Sequence, residues 1–448
     1  MKTVYLVSLG CPKNLVDSEV MLAALEQDGY TVAETPEEAS LLLVNTCGFI
    51  RPAVEEAIDE IFRLAAYKED DPAKLLVVTG CMVQRYGPDL MAEMPEVDLF
   101  VGLDDFPRID RLIRAISPEQ RMVTNPGPAA YVMNSSVARR VSTPFFRSYL
   151  KITEGCDNHC AYCMIPSIRG RLRSREMVDL VAEAGLLQQS GVKELSLVAQ
   201  DLTAYGNDLR SGFNLVNLLE TLLASTTIPW FRLLYLYPST VTDSLLQLMA
   251  AQPRILPYLD IPFQHVSDRV LHAMNRHYNQ AVLDDLVRRI RRYIPDCAIR
   301  TTMLIGFPGE TEEDVALLVE ALKTWRLDHV GVFQYQDEEG SKAATYTQKI
   351  PDEEGAARYR WVMETQAEIS AGLQQRFVGR VEPVLIEGIS RESELLLEGR
   401  SRFQAPDIDG CVYITSGQVH PGDIVSVRIT EAHTYDLVGE VVDGLENR

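Results

Sequence analysis

No run of apolar residues in this 448-residue chain approaches the roughly 18 to 20 that a helix needs to span a bilayer, so helical membrane proteins are excluded. Positive charge is also scarce, with 43 Lys and Arg against 64 Asp and Glu and a formal net charge of -21. Broad capture of nucleic acid relies on cationic side chains that displace counterions from phosphates, and this chain lacks that surplus. A basic protein partner suits it better, although the same charge also serves solubility. No secretory leader is expected either: Met1-Lys2 passes almost at once into the strand-like Val4-Tyr5-Leu6-Val7-Ser8-Leu9, too short and too poorly flanked for a signal peptide. The expected location is cytoplasmic. With 46% apolar and 8% aromatic residues, what remains is the composition of a globular protein long enough for two or three domains, each with its own core.

Cysteine carries most of the information. Eight are present, and in a reducing compartment clustered thiols bind metals or do redox chemistry more often than they form disulfides. Cys297 and Cys411 stand alone and read as small buried hydrophobes. Three others share the stretch Cys156-Asp157-Asn158-His159-Cys160-Ala161-Tyr162-Cys163, close enough to reach one small metal cluster. A cubic 4Fe-4S cluster has four irons, so a CxxxCxxC triplet leaves one iron open to bind something else. Structural zinc prefers four closed ligands, usually in CxxC pairs. The second pair is absent here, although His159 could serve in a distorted zinc site.

Over the first part of the chain short apolar runs alternate with helical patterns, the sequence form of an open parallel sheet with crossover helices. Strands are predicted at Val4 to Leu9, Leu41 to Val44, Leu75 to Val78 and Leu99 to Val101, with helices such as Leu15 to Gln27 and Pro52 to Ala66 between them. Cys11 follows the first of these strands, Cys47 the second and Cys81 the third, each beside a glycine: Gly10, Gly48 and Gly80. In an open parallel sheet the carboxyl ends of the strands share one edge, where ligands bind, and glycine permits tight turns and close approach of backbone to a bulky group. The same placement three times predicts that these thiols converge on a second cluster with an open iron.

Residues 117 to 144 are rich in Pro, Gly, Ser and Asn, include Thr124-Asn125-Pro126-Gly127-Pro128, and read as a linker. A second alternation follows, with strands at Tyr149 to Thr153, Glu194 to Val198, Phe231 to Leu236, Tyr258 to Ile261, Ile299 to Ile305 and Val330 to Phe333. Helical patterns such as Met177 to Gln189 and Gln280 to Arg292 separate them. The ends of these strands carry the cysteine loop, then Gln200-Asp201, Gln264-His265 and Gly306-Phe307-Pro308-Gly309-Glu310. Pro351 to Arg376 predicts a long, mostly polar helix. Beyond Gly379, runs at Pro383 to Ile386, Leu395 to Glu398, Val412 to Thr415, Ile424 to Ile429 and Leu437 to Val442 suggest a small antiparallel β-barrel. Residues 378 to 448 hold 6 Lys or Arg and 13 Asp or Glu, a balance that suits docking of a basic protein rather than phosphate. The expectation is an α/β multidomain chain: an open parallel α/β domain over 1–116, the linker over 117–144, a β/α domain over 145–376 and the β-barrel over 377–448.

The CxxxCxxC triplet, with the aromatic Tyr162 before its last cysteine, resembles the signature of the radical S-adenosylmethionine (SAM) enzymes. That resemblance implies a partial (β/α)6 barrel, SAM chelated at the open iron through its amino and carboxylate groups, and one-electron cleavage of SAM to a 5'-deoxyadenosyl radical. It implies Tyr162 against the adenine, and Gln200, Asp201, Gln264, Gly306 and Gly309 around SAM. The Gly-Gly-Glu motif common elsewhere in the superfamily is absent after the second strand, so Gln200 and Asp201 are assigned by position. Gly306 and Gly309 also fit a tight strand-to-helix turn, Glu310 a helix start, and His265 a pocket wall.

Ser8-Leu9-Gly10-Cys11-Pro12-Lys13-Asn14, Val16-Asp17-Ser18-Glu19, Asn45-Thr46-Cys47-Gly48-Phe49-Ile50 and Thr79-Gly80-Cys81-Met82-Val83-Gln84-Arg85-Tyr86 resemble the methylthiotransferases, in particular the RimO branch, which modifies a ribosomal protein. The tRNA-modifying branch usually carries Gly-Cys-Gln-Met-Asn at the first of these. The C-terminal module resembles a TRAM domain. The resemblance implies two 4Fe-4S clusters, one at Cys156, Cys160 and Cys163 that makes the radical and one at Cys11, Cys47 and Cys81 that holds the sulfur to be transferred. It further implies SAM as both methyl donor and radical source, and an external one-electron donor such as flavodoxin or ferredoxin. The implied product is a methylthio group on the β-carbon of an aspartate in small-subunit ribosomal protein S-twelve, free or in the ribosome. An unactivated C–H bond has no acidic proton for a general base, and cofactors carry such chemistry. Three rival readings stay open at this level: the same chemistry on tRNA, a two-cluster electron carrier without turnover, and a zinc-dependent interaction module.

Overall fold

Strands buried on both faces of a parallel sheet read as near-continuous apolar runs, and Leu41–Thr46, buried at every residue, is such a strand. In the computed structural model, which describes residues 2–116, 122–124, 129–390 and 392–442, it lies inside a parallel sheet of six strands. Their order is Thr31–Val32, Thr3–Ser8, Leu41–Thr46, Leu75–Gly80, Leu99–Val101 and Met122–Val123. The direction of winding reverses between Thr3–Ser8 and Leu41–Thr46, the kind of switch point at which open α/β sheets bind ligands. Sequence patterning anticipated four of these strands. The two edge strands have two residues each, too few to leave an alternation. Met122–Val123 falls within the stretch read as a linker; residues 117–121 and Asn125 to Pro128 lie outside the described residues.

The second sheet is open and parallel and pairs in chain order: Arg147–Lys151, Glu194–Val198, Trp230–Leu233, Ile255–Asp260, Ala298–Ile305 and His329–Gln334. Helices such as Met177–Gln189, Leu215–Ser225 and Gln280–Tyr293 cover its outer face and share one apolar core with it. No helix among the described residues is long and apolar enough to cross a membrane.

After the helix Asp352–Gln374 the chain closes a five-stranded barrel of Val381–Ile389, Leu397–Ser401, Val412–Ser416, Leu437–Val441 and Ile424–Ala432. Four of its pairings are antiparallel, and Val412–Ser416 pairs parallel with Leu437–Val441. Strand directions cannot alternate all the way round a closed ring of odd number, so the wholly antiparallel barrel expected from sequence gains one parallel pair. Each strand of the central sheet sends at least one side chain to this barrel. Arg147 Nη1 bonds Asp407 Oδ2 at 2.8 Å, Glu194 Oε2 accepts from Arg400 Nη2 at 2.6 Å, and Arg232 Nη1 donates to the Arg402 carbonyl at 3.2 Å. Tyr258 and Arg300 both reach Asp409, and His329 Nε2 lies 3.0 Å from the Phe403 carbonyl oxygen. Some of the acidity expected to form a docking face, Asp409 facing Arg300 and Glu387 facing Arg147 in particular, is thus drawn onto the central domain. One buried apolar cluster runs through all three parts, from Val20 and Phe106 through Tyr149 and Tyr258 to Val384 and Phe403.

Candidate active site

Strand register brings the first three thiols together. Ser8 stands opposite Asn45, and Asn45 opposite Thr79, so the loops bearing Cys11, Cys47 and Cys81 leave three adjacent strands at one level. A Cβ on Gly10 would lie 2.8 Å from the Cβ of Cys47, and one on Gly48 would lie 2.7 Å from the Cys81 carbonyl carbon. Only glycine lets each loop close on the next. Asn14 and Asn45 tie the loops: Asn14 Nδ2 donates to the Leu9 carbonyl at 2.8 Å and Asn45 Nδ2 to the Asn14 carbonyl at 2.9 Å. Cys11 caps the helix Pro12–Gln27 and Cys81 begins the helix Cys81–Glu93, positions at which backbone N–H groups favour thiolate. Burial opposes the Cys11 thiolate, but Lys13 and Arg169 outweigh it and hold this thiol below its usual value. Burial, reinforced by Cys81, pushes the Cys47 thiol up to about 12.

The second triad is held in a single loop. Gly155 has φ +66°, and a Cβ there would lie 2.1 Å from the Arg171 carbonyl oxygen, so the loop turns tightly out of Thr153–Glu154. The Asn158 and Ile165 N–H groups donate to the Cys156 and Cys163 sulfurs, each at 3.4 Å, and Arg276 Nη1 donates to Cys160 Sγ at 3.3 Å. Burial lifts the Cys156 thiol to about 11. Metal binding to such thiols must expel their protons.

All six cysteines line one cavity of about 410 Å³ between the N-terminal and central domains, and Tyr162, Gln200, Asp201 and Gln264 line it too. Asp201 Oδ2 accepts from Asn158 Nδ2 at 2.7 Å, while its Oδ1 accepts from the Thr203 and Ala204 N–H groups, so it braces the cysteine loop from the end of the next strand. Gln264, at φ +70°, bridges Thr302 and Leu304 through its backbone. Gly306 and Gly309 are not among the lining residues; they form a turn in which the Gly306 N–H donates to the Glu310 carboxylate at 3.0 Å. His265 is fully buried away from the cavity. Its Nδ1 accepts the Val266 and Ser267 N–H groups at 2.9 and 3.0 Å, which leaves the proton on Nε2, 3.5 Å from Glu310. Cys297 is buried and Cys411 half-buried, and every cysteine is a free thiol.

Sequence reasoning did not single out Lys13, Arg169, Tyr235 or Arg276, which also line the cavity. Arg169 crosses the domain boundary to bond Asp17 Oδ2 at 3.0 Å and Glu154 Oε2 at 3.1 Å. Lys151, beside it, pairs with both carboxylates. One local signal existed for Lys13: it stands where the tRNA-modifying motif has Met.

Among the described residues, no group of three or more His, Cys, Asp or Glu side chains is arranged to hold a single metal ion. Each triad offers three thiols to a shared cavity, a donor set that suits a cubic cluster with one open iron. The uncharacterized protein family UPF0004 matches residues 3–102, the radical SAM superfamily 150–322 and the TRAM domain 378–442. The chain is 53% identical over 438 residues to a protein of Desulfotalea psychrophila described as ribosomal protein uS12 methylthiotransferase RimO, covering 98% of this chain and 99% of that one. A protein of the same description from Citrifermentans bemidjiense is 48% identical over 440 residues and 98% of each chain. Among solved structures, the radical S-adenosylmethionine methyltransferase TsrM from Kitasatospora setae, with cobalamin and a 4Fe-4S cluster bound, matches with a TM-score of 0.53 at 19% identity over 75% of both chains, a likeness of fold.

Proposed function

The chain belongs to the RimO family of ribosomal protein uS12 methylthiotransferases, and from that premise we infer how its two cysteine triads divide the work. It is a radical SAM enzyme that transfers a sulfur-containing group, with SAM and iron–sulfur chemistry as its means. Cys156, Cys160 and Cys163 would hold one 4Fe-4S cluster and Cys11, Cys47 and Cys81 a second. With SAM, the first would supply the reducing electron for a radical able to take hydrogen from an aspartate β-carbon, and the second the site for the sulfur to be transferred, whose methyl group SAM would provide. The chain's own residues orient these parts. Arg276 and the Asn158 and Ile165 N–H groups stabilise the radical-side thiolates, and Arg169 and Lys13 those of the other triad. Tyr162, Gln200, Asp201 and Gln264 form the SAM side. Phe49, Tyr235, Tyr237 and Phe333 wall the cavity with aromatic surface, which keeps water from a reactive radical.

The observation that carries this reading is that both triads open onto one cavity, so a substrate carbon can meet both without leaving it. The enzyme acts in the cytoplasm on uS12, free or assembled, takes electrons from an external donor such as flavodoxin or ferredoxin, and does not act on tRNA. Anaerobically reconstituted enzyme, incubated separately with uS12 and with tRNA, should add a methylthio mass to the protein alone; modified tRNA with unmodified uS12 would reverse the assignment. Cys47→Ala should still split SAM to 5'-deoxyadenosine while failing to transfer sulfur.

A further inference from the structure

The strand Thr3–Ser8 has an open edge. Thr31–Val32 covers that edge only at Thr3 and Val4, while Leu41–Thr46 pairs in unbroken register on the other side, from Val4 to Ser8. The Val4 carbonyl accepts from Ala33 at 2.8 Å on the open side, and the Thr3 carbonyl from Ser40 at 3.1 Å on the other. Backbone groups alternate sides along a strand, so Leu6 and Ser8 turn their N–H and C=O groups outward, where no strand among the described residues meets them. Such an edge is a template for pairing, and proteins blunt it with Lys, Pro, a bulge or a cover. Tyr5-Leu6-Val7-Ser8-Leu9 has no charge and no proline, and its residues are half-buried where those of Leu41–Thr46 are buried throughout.

The edge is one wall of a groove of about 780 Å³ whose other wall is the helix Arg51–Asp70, with Glu55, Glu56, Asp59 and Glu60 along it and Arg63 beside them. Glu55 pairs with Arg51 and Glu60 with Arg63, whereas Glu56 and Asp59 stand exposed and in no ion pair among the described residues. Leu9, which lines the groove, is two residues from Cys11, which lines the catalytic cavity, a span of about 7 Å in extended chain. The groove therefore combines hydrogen-bonding backbone, apolar surface and surplus negative charge, and it runs toward the active site. A segment that fits it is extended, carries Lys or Arg at alternate positions, and leaves its next residues beside the triads. A protein that neutralises RNA phosphates carries such cations, and an RNA strand would be repelled by the same carboxylates. We propose that residues 5–9 and the acidic helix face take an extended basic segment of uS12 as an added strand and so deliver the neighbouring loop to the cavity, an inference that rests on the functional reading above.

The test uses the reconstituted full-length enzyme, purified uS12, and amide hydrogen exchange read residue by residue along the edge. Bound uS12 should slow exchange at the Leu6 and Ser8 amides at least about tenfold and leave Val7, whose N–H faces the next strand, unchanged. Glu56→Lys combined with Asp59→Lys should weaken uS12 binding about tenfold, each reversed rim charge contributing a few-fold, with iron content and SAM cleavage as in wild type. Exchange at Leu6 and Ser8 that bound uS12 does not alter overturns the proposal, as does a doubly reversed enzyme whose affinity for uS12 stays within about twofold of wild type. Protection that appears without uS12 and grows with enzyme concentration assigns the edge to a second copy of this chain and overturns it too. A wild type that modifies tRNA and leaves uS12 untouched overturns the functional reading and this inference with it, whereas modified uS12 with Leu6 and Ser8 unprotected overturns the inference alone.

Discussion

Gly80 shows how much of the site rests on one missing side chain. Its φ is +102°, and a Cβ would fall 2.4 Å from both Asn45 Oδ1 and the Thr46 carbonyl oxygen. Gly80→Ala should cost roughly 1–3 kcal/mol in backbone strain and move Cys81 away from Cys47, read as a lower unfolding midpoint together with reduced iron uptake on reconstitution. Arg169 makes the complementary case. Arg169→Met leaves Asp17 and Glu154 buried with Lys151 as their shared cation, and breaking a buried pair in this way costs about 3–5 kcal/mol; chemical denaturation measures it. The cysteines were legible because their spacing relative to strands and glycines is a local property of the chain. Arg169 was not, because Asp17 lies 152 positions away, and nothing near either residue announces the other.

At the scale of elements, the seam between the central sheet and the C-terminal barrel turns on Glu194. Burial raises its carboxyl, but Arg400 and Arg232 outweigh burial and hold it at about 2. Because the folded value lies below the unfolded one, near 4.3, this group's contribution to stability is complete above that pH and drains away as pH falls toward 2. Acid titration of unfolding should therefore steepen in that window, and Glu194→Gln should be less stable at neutral pH with a flatter acid limb. Long strands with apolar runs were readable in advance. The two-residue edge strands were not, since their pairing depends on neighbours in the sheet rather than on their own pattern, and the parallel pair in the barrel follows from ring closure.

For the whole molecule, the surplus of acid, -21 over 448 residues, sets how a basic partner approaches. Steering by such a field fades as salt shortens the screening length from about 10 Å at 0.1 M to about 3 Å at 1 M. The kcat/KM for uS12 should accordingly fall about tenfold across that range, mainly through association. Stopped-flow binding checks it, and a salt-independent on-rate would remove charge from the account.

Chain-local order by itself determined the succession of domains, the two sets of three thiols and the strand that each follows, because periodicity and spacing are written among neighbouring residues. Tertiary structure alone decided that both sets face one cavity, that Arg169 seals the boundary beside it, that Lys13 is buried against the Tyr235 ring, and that the acidic C-terminal barrel turns part of its charge onto the central strands. Those outcomes depend on packing between segments remote in sequence, where burial and charge pairing are settled only once the surfaces meet.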